Sequence, residues 1–390
     1  MENRVLFITP FFSPNVGGVE THLDDLINYL NEKEVSVDVI TYTPLTTKVK
    51  APLFERRKEN KIYRLPWPGF GFFFKLEKHL ILQFLYLTSG LLAISFIVLM
   101  LNRKKYDVIS CHGLSAGLIG WLLKIFFKKR TVLTLHTIYK FSKKPQLKRM
   151  AFFIKKMDAV LVLAESAKKD LIKSKILSSN KVFVYKNWVD ESIFKPIPQK
   201  KSRRKIGLKE NEFYALFIGR LTNEKGIKEL LKAVPFLDKN IKLIIIGYGP
   251  LKKNVLGSAK KFDNIIFVGT KDIKEIPFYL NASDILLFGA VDEDYLGIVS
   301  ISALACGLPI ILPNKTAYHN KVKNVDFRFP SNKIGMIIDT DPKKFAKKIN
   351  KIFKQGINNV FSRRECVKFF KANYNRDING KIIYNSYFKN

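Results

Sequence analysis

An α/β architecture of two domains, each built on a parallel sheet, is predicted by three observations. Short apolar runs alternate with helical patterns along the chain. The alternation breaks once, over 187–205, where Pro196, Pro198 and a basic run interrupt it, and then restarts. A length of 390 residues with 47% hydrophobic content supplies two or three such domains with real cores.

The elements follow in order. Residues 4–9 read as a first strand, 18–31 as a helix and 35–43 as a second strand. Further strands are expected at 107–111, 130–136, 159–163 and 181–185. Beyond the linker, strands are expected at 213–219, 242–247, 264–268, 284–288 and 309–312. Helices are expected at 226–234, 273–280, 297–306 and 342–353. The domains are therefore set at 1–188 and 189–372, with a final helix in 373–390 packing back on the first. Ligands of open parallel sheets sit at the carboxyl ends of the strands, so two such domains are expected to face each other across a cleft.

Charge narrows the partners. A formal net charge of +35 attracts polyanions, namely nucleic acid, anionic lipid or phosphorylated substrates. The basic residues are spread along the chain, and no paired-cysteine finger or aromatic RNA-binding strand motif accompanies them, so no specific nucleic acid is expected. Cys111, Cys306 and Cys366 are far apart and give neither a disulfide framework nor a metal-ligand spacing. A reducing, cytoplasmic setting without metal or cofactor is the expectation. The opening apolar run, 5–8, is too short for a signal peptide.

Residues 80–101 form 22 positions without a charge, long enough to cross a bilayer. Lys75 and Lys78 precede them and Arg103, Lys104 and Lys105 follow. Strands on both sides belong to one sheet, however, and a spanning helix would tear that sheet apart. A packed helix that touches a membrane surface fits better, with Phe72, Phe73 and Phe74 as interfacial anchors. Basic charge beside apolar surface is the recipe for peripheral binding to anionic lipid, here at the cytoplasmic face.

Three segments carry chemistry. The loop Pro14-Asn15-Val16-Gly17-Gly18 joins the first strand to the first helix. Its glycines let backbone approach a phosphate at a helix N-terminus. In Gly219-Arg220-Leu221-Thr222-Asn223-Glu224-Lys225-Gly226, Arg220 and Lys225 emerge after a strand, where a pair of cations suits a diphosphate. In the segment from Asp294 to Pro309, Gly297 opens a helix whose first amides, with Ile298 and Val299, can hold a phosphate or sugar oxygen. Asp294 before it can accept from sugar hydroxyls. Each also has a plainer reading, respectively a tight turn, a solvated basic loop and a helix-capping acidic cluster.

In this order and spacing the segments resemble the retaining GT-B glycosyltransferases of family 4, also called group 1, over nearly the whole chain. Phe11–Glu20 is similar to the family's N-terminal loop. Asn187-Trp188-Val189-Asp190 is similar to its interdomain crossing, normally Asn-Gly-Val-Asp. The resemblance implies two Rossmann-like domains and a nucleotide-diphosphate sugar donor. It implies transfer with retention to a glycan or lipid-linked acceptor. Arg220 and Lys225 would stabilise the leaving diphosphate, Gly17 and Gly18 would bring amides near it, and His112 would stand by the donor sugar. His136 ends the next strand and is a weaker candidate.

The family's paired acids, spaced Glu-x7-Glu, fall on Asp294 and Ser302. A carboxylate accepts from both ribose hydroxyls, whereas a serine makes one weaker contact. The shortfall is about 1–2 kcal/mol, roughly tenfold in donor affinity. Trp188 for glycine and Lys186 for the usual proline are further departures. Two other readings stay open at this point: a non-catalytic GT-B partner subunit at a membrane, and another GT-B enzyme such as a sugar-nucleotide epimerase.

Overall fold

The computed structural model describes residues 3–76, 79–102, 104–143, 145–287, 291–292, 295–316, 323–324 and 329–389. The chain divides into two units, one of Met1–Asn187 with Arg376–Asn390, the other of Trp188–Asn375.

The first unit is an eight-stranded sheet. Its strands are β1 (Arg4–Ile8), β2 (Ser36–Tyr42), β3 (Phe54–Arg57), β4 (Asn60–Leu65), β5 (Val108–His112), β6 (Arg130–Leu135), β7 (Ala159–Val162) and β8 (Val182–Val184). Their order is β3-β4-β2-β1-β5-β6-β7-β8. All neighbours are parallel except β3 with β4. β5 is buried along its length and β1 along all but Arg4, as expected of strands covered on both faces.

The hairpin β3–β4 lies outside the sequence expectation. Its turn region is charged, from Glu55 to Lys61, and β3 buries no residue, so the strand carries no hydrophobic signal. A polar edge of this kind discourages strand addition.

Crossovers cover the faces. They are α1 (Gly18–Glu32), α2 (Phe70–Leu76), α3 (Leu80–Leu101), α4 (Leu114–Phe127), α5 (Pro145–Met150) and α6 (Glu165–Lys173). The 22-residue α3 is long and apolar enough to cross a membrane by length and composition. It packs on the sheet instead. A side chain at Gly90 would strike Trp67 and Leu65, the Tyr42 hydroxyl accepts from the Leu91 amide at 3.0 Å, and Trp67 Nε1 donates to the Tyr86 carbonyl at 3.1 Å.

Of the aromatic run expected at a membrane, Phe73 is buried, because its ring finds Phe11 edge-on at 5.6 Å. Phe72 keeps 48% of its surface exposed, against Tyr86, and Phe74 meets Phe73.

In the second unit, α7 (Gln199–Lys205) precedes β9 (Phe213–Ile218). α7 lies within the stretch expected to be a linker. Its seven residues look like a solvated basic run, but Arg203 is buried and paired with Asp284 at 2.9 Å. Alternation then proceeds through α8 (Ile227–Ala233), β10 (Ile241–Ile246), α9 (Lys252–Lys261), β11 (Ile265–Gly269), α10 (Ile276–Ala282) and β12 (Ile285–Leu287). The short strands β13 (Val291–Asp292) and β14 (Tyr295–Leu296) pair antiparallel and lead into α11 (Ile298–Ala305). After β15 (Ile310–Pro313), the two-residue strands β16 (Lys315–Thr316) and β17 (Lys323–Asn324) pair with each other. Then follow β18 (Gly335–Ile338), α12 (Pro342–Gln355), α13 (Ile357–Val360) and α14 (Arg363–Asn373).

The six-stranded sheet has the order β11-β10-β9-β12-β15-β18, all parallel. Apolar clusters fill both of its faces, one around Leu216 and Ile301, the other around Phe217 and Ile349. The last helix, α15 (Arg376–Phe388), belongs to the first unit. There Arg376 makes a two-pronged pair with Glu32 of α1, at 2.7 and 2.8 Å.

Candidate active site

In an open parallel sheet the binding crevice lies where the strand order reverses, at the carboxyl ends of the strands on either side. In the first unit that point falls between β1 and β5. The loop after β1 carries Gly17 and Gly18, and β5 ends on His112. In the second unit it falls between β9 and β12. The loop after β9 carries Arg220 and Lys225, and the segment after β12 leads to Gly297 and α11. The sequence-predicted residues thus collect at the switch point of their own sheet. Asp294 lies outside the described residues.

The loop after β1 is held by side chains. Asn15 donates from its amide nitrogen to Glu20 and accepts from Thr46 on its oxygen, from the amide at 3.1 Å and the hydroxyl at 2.8 Å. The Glu20 carboxylate lies where a Cβ on Gly17 would stand, so a side chain there would have to push Glu20 away from Asn15. On the other side Arg57 bridges Ser13 and Asp24, at 2.9 and 3.2 Å, and Arg64 donates to the Ser13 carbonyl at 2.7 Å. Burial pushes the Asp24 carboxyl up, against the opposing pull of Arg57. α1 begins at Gly18, directly after a loop fixed by two networks.

His112 does not stand alone. Its Nδ1 and His136 Nε2 share a hydrogen bond of 3.1 Å, and its Nε2 lies 3.2 Å from Ser110 Oγ, which in turn pairs with the Tyr387 hydroxyl of α15 at 2.8 Å. His22 of α1 stands 5.9 Å from His136, ring to ring, with Tyr185 stacked at 5.5 Å. Both nitrogens of the His112 ring therefore face protein partners, and a sugar can reach either one only by displacing a partner. Burial drives His22 and His112 well below the ordinary histidine range, and His136 down to about 4.

The cluster is consequently uncharged at neutral pH, and its linkage to stability has a definite sign. The unfolded chain takes up protons near pH 6.5 and the folded chain does not, so stability rises with pH in that window and falls as pH drops below 6.5. The shift of His136 alone, from 6.5 to about 4, corresponds to roughly 3 kcal/mol. Thermal melts are expected to drop steeply from pH 6.5 to pH 4. A His136→Asn variant should flatten that slope, and an unchanged slope would refute a neutral cluster.

In the second unit, the loop after β9 is braced by the loop after β10. The Leu221 amide donates to the Tyr248 carbonyl at 2.6 Å, and the Leu251 amide to the Leu221 carbonyl at 3.0 Å. Gly247 has φ 150° and presses on the Gly219 carbonyl, leaving no room for a side chain. Arg220 is half-buried, and Lys225 ends a 3-10 turn closed by Gly226 at φ 73°. α11 opens at Gly297 with no side-chain cap, and Ile298 and Val299 are half-buried in its first turn. Ser302, one turn on, is 3% exposed.

The sequence reading passed over His22, Tyr387 and Gly247-Tyr248-Gly249. A Gly-x-Gly directly after an apolar strand was a usable signal for the last. Nothing local marks Tyr387, which reaches Ser110 from 277 residues away.

Two Rossmann-type units, each with its polar residues gathered at the switch point, define a GT-B protein. The comparisons agree. The model described as Glycosyltransferase Family 4 matches residues 16–193, and Glycosyl transferases group 1 matches residues 198–369. An uncharacterised glycosyltransferase of Methanocaldococcus jannaschii is 23% identical over 95% of each chain. The GPI3 subunit of the phosphatidylinositol N-acetylglucosaminyltransferase of Saccharomyces cerevisiae is 24% identical, over 90% of this chain and 79% of that protein. Among solved structures, Anabaena HepE in complex with UDP and glucose superposes with a TM-score of 0.73 at 17% identity, over 98% of this chain and 99% of that one. The chain belongs to the group 1, family 4 type of glycosyltransferases.

Proposed function

We propose that the chain is a retaining glycosyltransferase that takes a sugar from a nucleotide-diphosphate donor and passes it to a glycan or lipid-linked acceptor. It works without a metal, at the cytoplasmic face of a membrane. The observation that carries this reading is the second sheet's switch point, with Arg220 and Lys225 on the loop after β9 and the N-terminus of α11 after β12.

Departure of the diphosphate breaks the bond from the anomeric carbon to the phosphate oxygen and leaves negative charge on that oxygen. Two cations on a braced loop neutralise charge where it develops, which is the largest single lever available to such a site. The amides of α11 and of α1, with Gly17, Gly18, Gly297, Ile298 and Val299, add donors for phosphate and sugar oxygens. Asp294 accepts from sugar hydroxyls. His112, its ring fixed by Ser110 and His136, stands beside the donor sugar. Retention rests on the family resemblance; it requires the acceptor oxygen to attack the face that the diphosphate leaves. A relative named for transfer to phosphatidylinositol supports a lipid acceptor, and a neighbour bound to UDP and glucose supports a nucleotide-sugar donor.

Purified protein with radiolabelled uridine, guanosine and adenosine diphosphate sugars and a lipid extract is expected to give labelled glycolipid from one donor. The anomeric configuration of the product should match the donor. Transfer from none of them in a folded sample defeats the reading, and donor conversion without acceptor points to an epimerase.

Ser302 supplies a finer check. Ser302→Glu is expected to tighten nucleotide binding about tenfold by restoring a charge-assisted contact. Unchanged affinity in a variant whose melt shows it folded would mean that Ser302 does not face the ribose.

A further inference from the structure

The basic charge is not evenly dealt. The whole chain has 68 lysines and arginines to 33 acids, yet from Lys78 to Met157 there are fifteen basic residues and one acid, Asp107. Asp107 is engaged by the Arg4 amide at 2.8 Å. This stretch contains α3 and α4, which pack side by side on one face of the first unit.

The outer side of α3 is apolar where a helix at a protein surface is normally polar. Ile81, Leu85, Ser89, Ala93, Ile97 and Leu101 are exposed at every fourth position and none carries a charge. At 1.5 Å per residue this ridge is about 30 Å long. Ile97 and Leu101 expose 52% and 73% of their surface, and on α4 Ile125 and Phe126 expose 54% and 61%. Between the two helices lies a groove of about 400 Å³ whose lining, including Phe96, Ile97, Leu122 and Phe126, is hydrocarbon throughout.

The lysines are placed by topology. Val108 of β5 pairs with Arg130 of β6, and Val132 with Ala159 of β7. Residues just before these strands therefore meet at the same sheet edge, at the foot of α3 and α4. Lys104, Lys128, Lys155 and Lys156 stand there and are exposed.

We propose that this face seats the protein on a leaflet of anionic phospholipid, with α3 and α4 lying along the surface, acyl ends in the groove and lipid phosphates at the rim lysines. A surface that offers hydrocarbon and cations but no directed hydrogen-bond donors suits lipid rather than a folded partner. A second copy seated parallel would set the rim lysines of two chains against each other, and an antiparallel pair is read out directly by the test below. α3 does not cross the bilayer, since Trp67 and Tyr42 hold it on the sheet. The inference deepens the proposed site of action at a membrane. It also moves the contact from the buried Phe73 to α3 and α4.

The test is co-sedimentation of the full chain with vesicles, without donor or acceptor, so its outcome is separate from that of the transfer assay. Binding is expected to phosphatidylcholine vesicles containing phosphatidylglycerol, to weaken with salt, and to vanish on phosphatidylcholine alone. Ile97→Glu and Phe126→Glu are each expected to weaken it about tenfold, with melting curves unchanged. Trp121, on α4, should be quenched by brominated acyl chains in the wild-type chain. No binding to the mixed vesicles, wild-type binding by both variants, or a wild-type dimer that Ile97→Glu dissolves would each overturn the proposal.

Discussion

Replacing Arg220 by alanine is expected to cost 10²- to 10³-fold in the rate of sugar transfer, about 3–4 kcal/mol of transition-state stabilisation. The bound donor already carries one charge on each phosphate, and a further one appears on the outer phosphate as the diphosphate departs, so the loss should fall on both KM and kcat, with the larger share on kcat. Lys225→Ala should behave alike. The double variant should lose less than the product of the two, because both cations act as a unit on the same departing charge and removing either one already forfeits much of their joint effect. Arg220→Lys separates charge from geometry: it keeps the cation but gives up the planar fork, and should recover only part of the rate. Folding should not suffer, as Arg220 sits on a loop whose shape is set by backbone bonds to the loop after β10. Full activity in Arg220→Ala, measured as initial rates at saturating donor, would remove the second-unit loop from the mechanism.

Gly247→Ala is expected to damage the same site from behind. The added methyl would run into the Gly219 carbonyl, a backbone atom that cannot swing aside, and φ 150° is costly for any side chain. A loss of about 1–3 kcal/mol in stability follows from such strain. The loop carrying Arg220 must shift to accept the methyl, so donor affinity should fall with it. Gly257→Ala is the matched control, since nothing lies within 4 Å of a Cβ there. In the middle of α9 it should stabilise by up to about 1 kcal/mol. Equal melts and equal donor binding for the two variants would show that the bracing of the loops is immaterial.

Much of this molecule is legible in one dimension. Strands such as β1, β5, β9 and β10 announce themselves because both faces of a parallel sheet are buried and the run is largely apolar. Turn chemistry places Gly17-Gly18 and Arg220–Lys225 immediately after strands, where a doubly wound sheet puts its ligand. The family pattern fixes the order of these segments and marks Ser302 as a departure. The hairpin β3–β4 was hidden because its surface is charged and its one packed edge is supplied by β2. α7 was hidden because a buried Arg203 looks like any other arginine until Asp284 is seen beside it.

What the sequence determined by itself is the periodicity: which runs are strands, which loops carry glycine and cations, and that α3 is uncharged throughout. Tertiary structure alone decided what those features face. It packed α3 on Tyr42 and Trp67 and so left one ridge bare. It turned Phe73 inward onto Phe11. It bonded His112 to Ser110 and His136, and Ser110 in turn to Tyr387 from the far end of the chain. Periodicity is a local property of neighbours in the chain. Burial and hydrogen bonding depend on partners brought together from positions as far as 344 residues apart, and no local pattern encodes them.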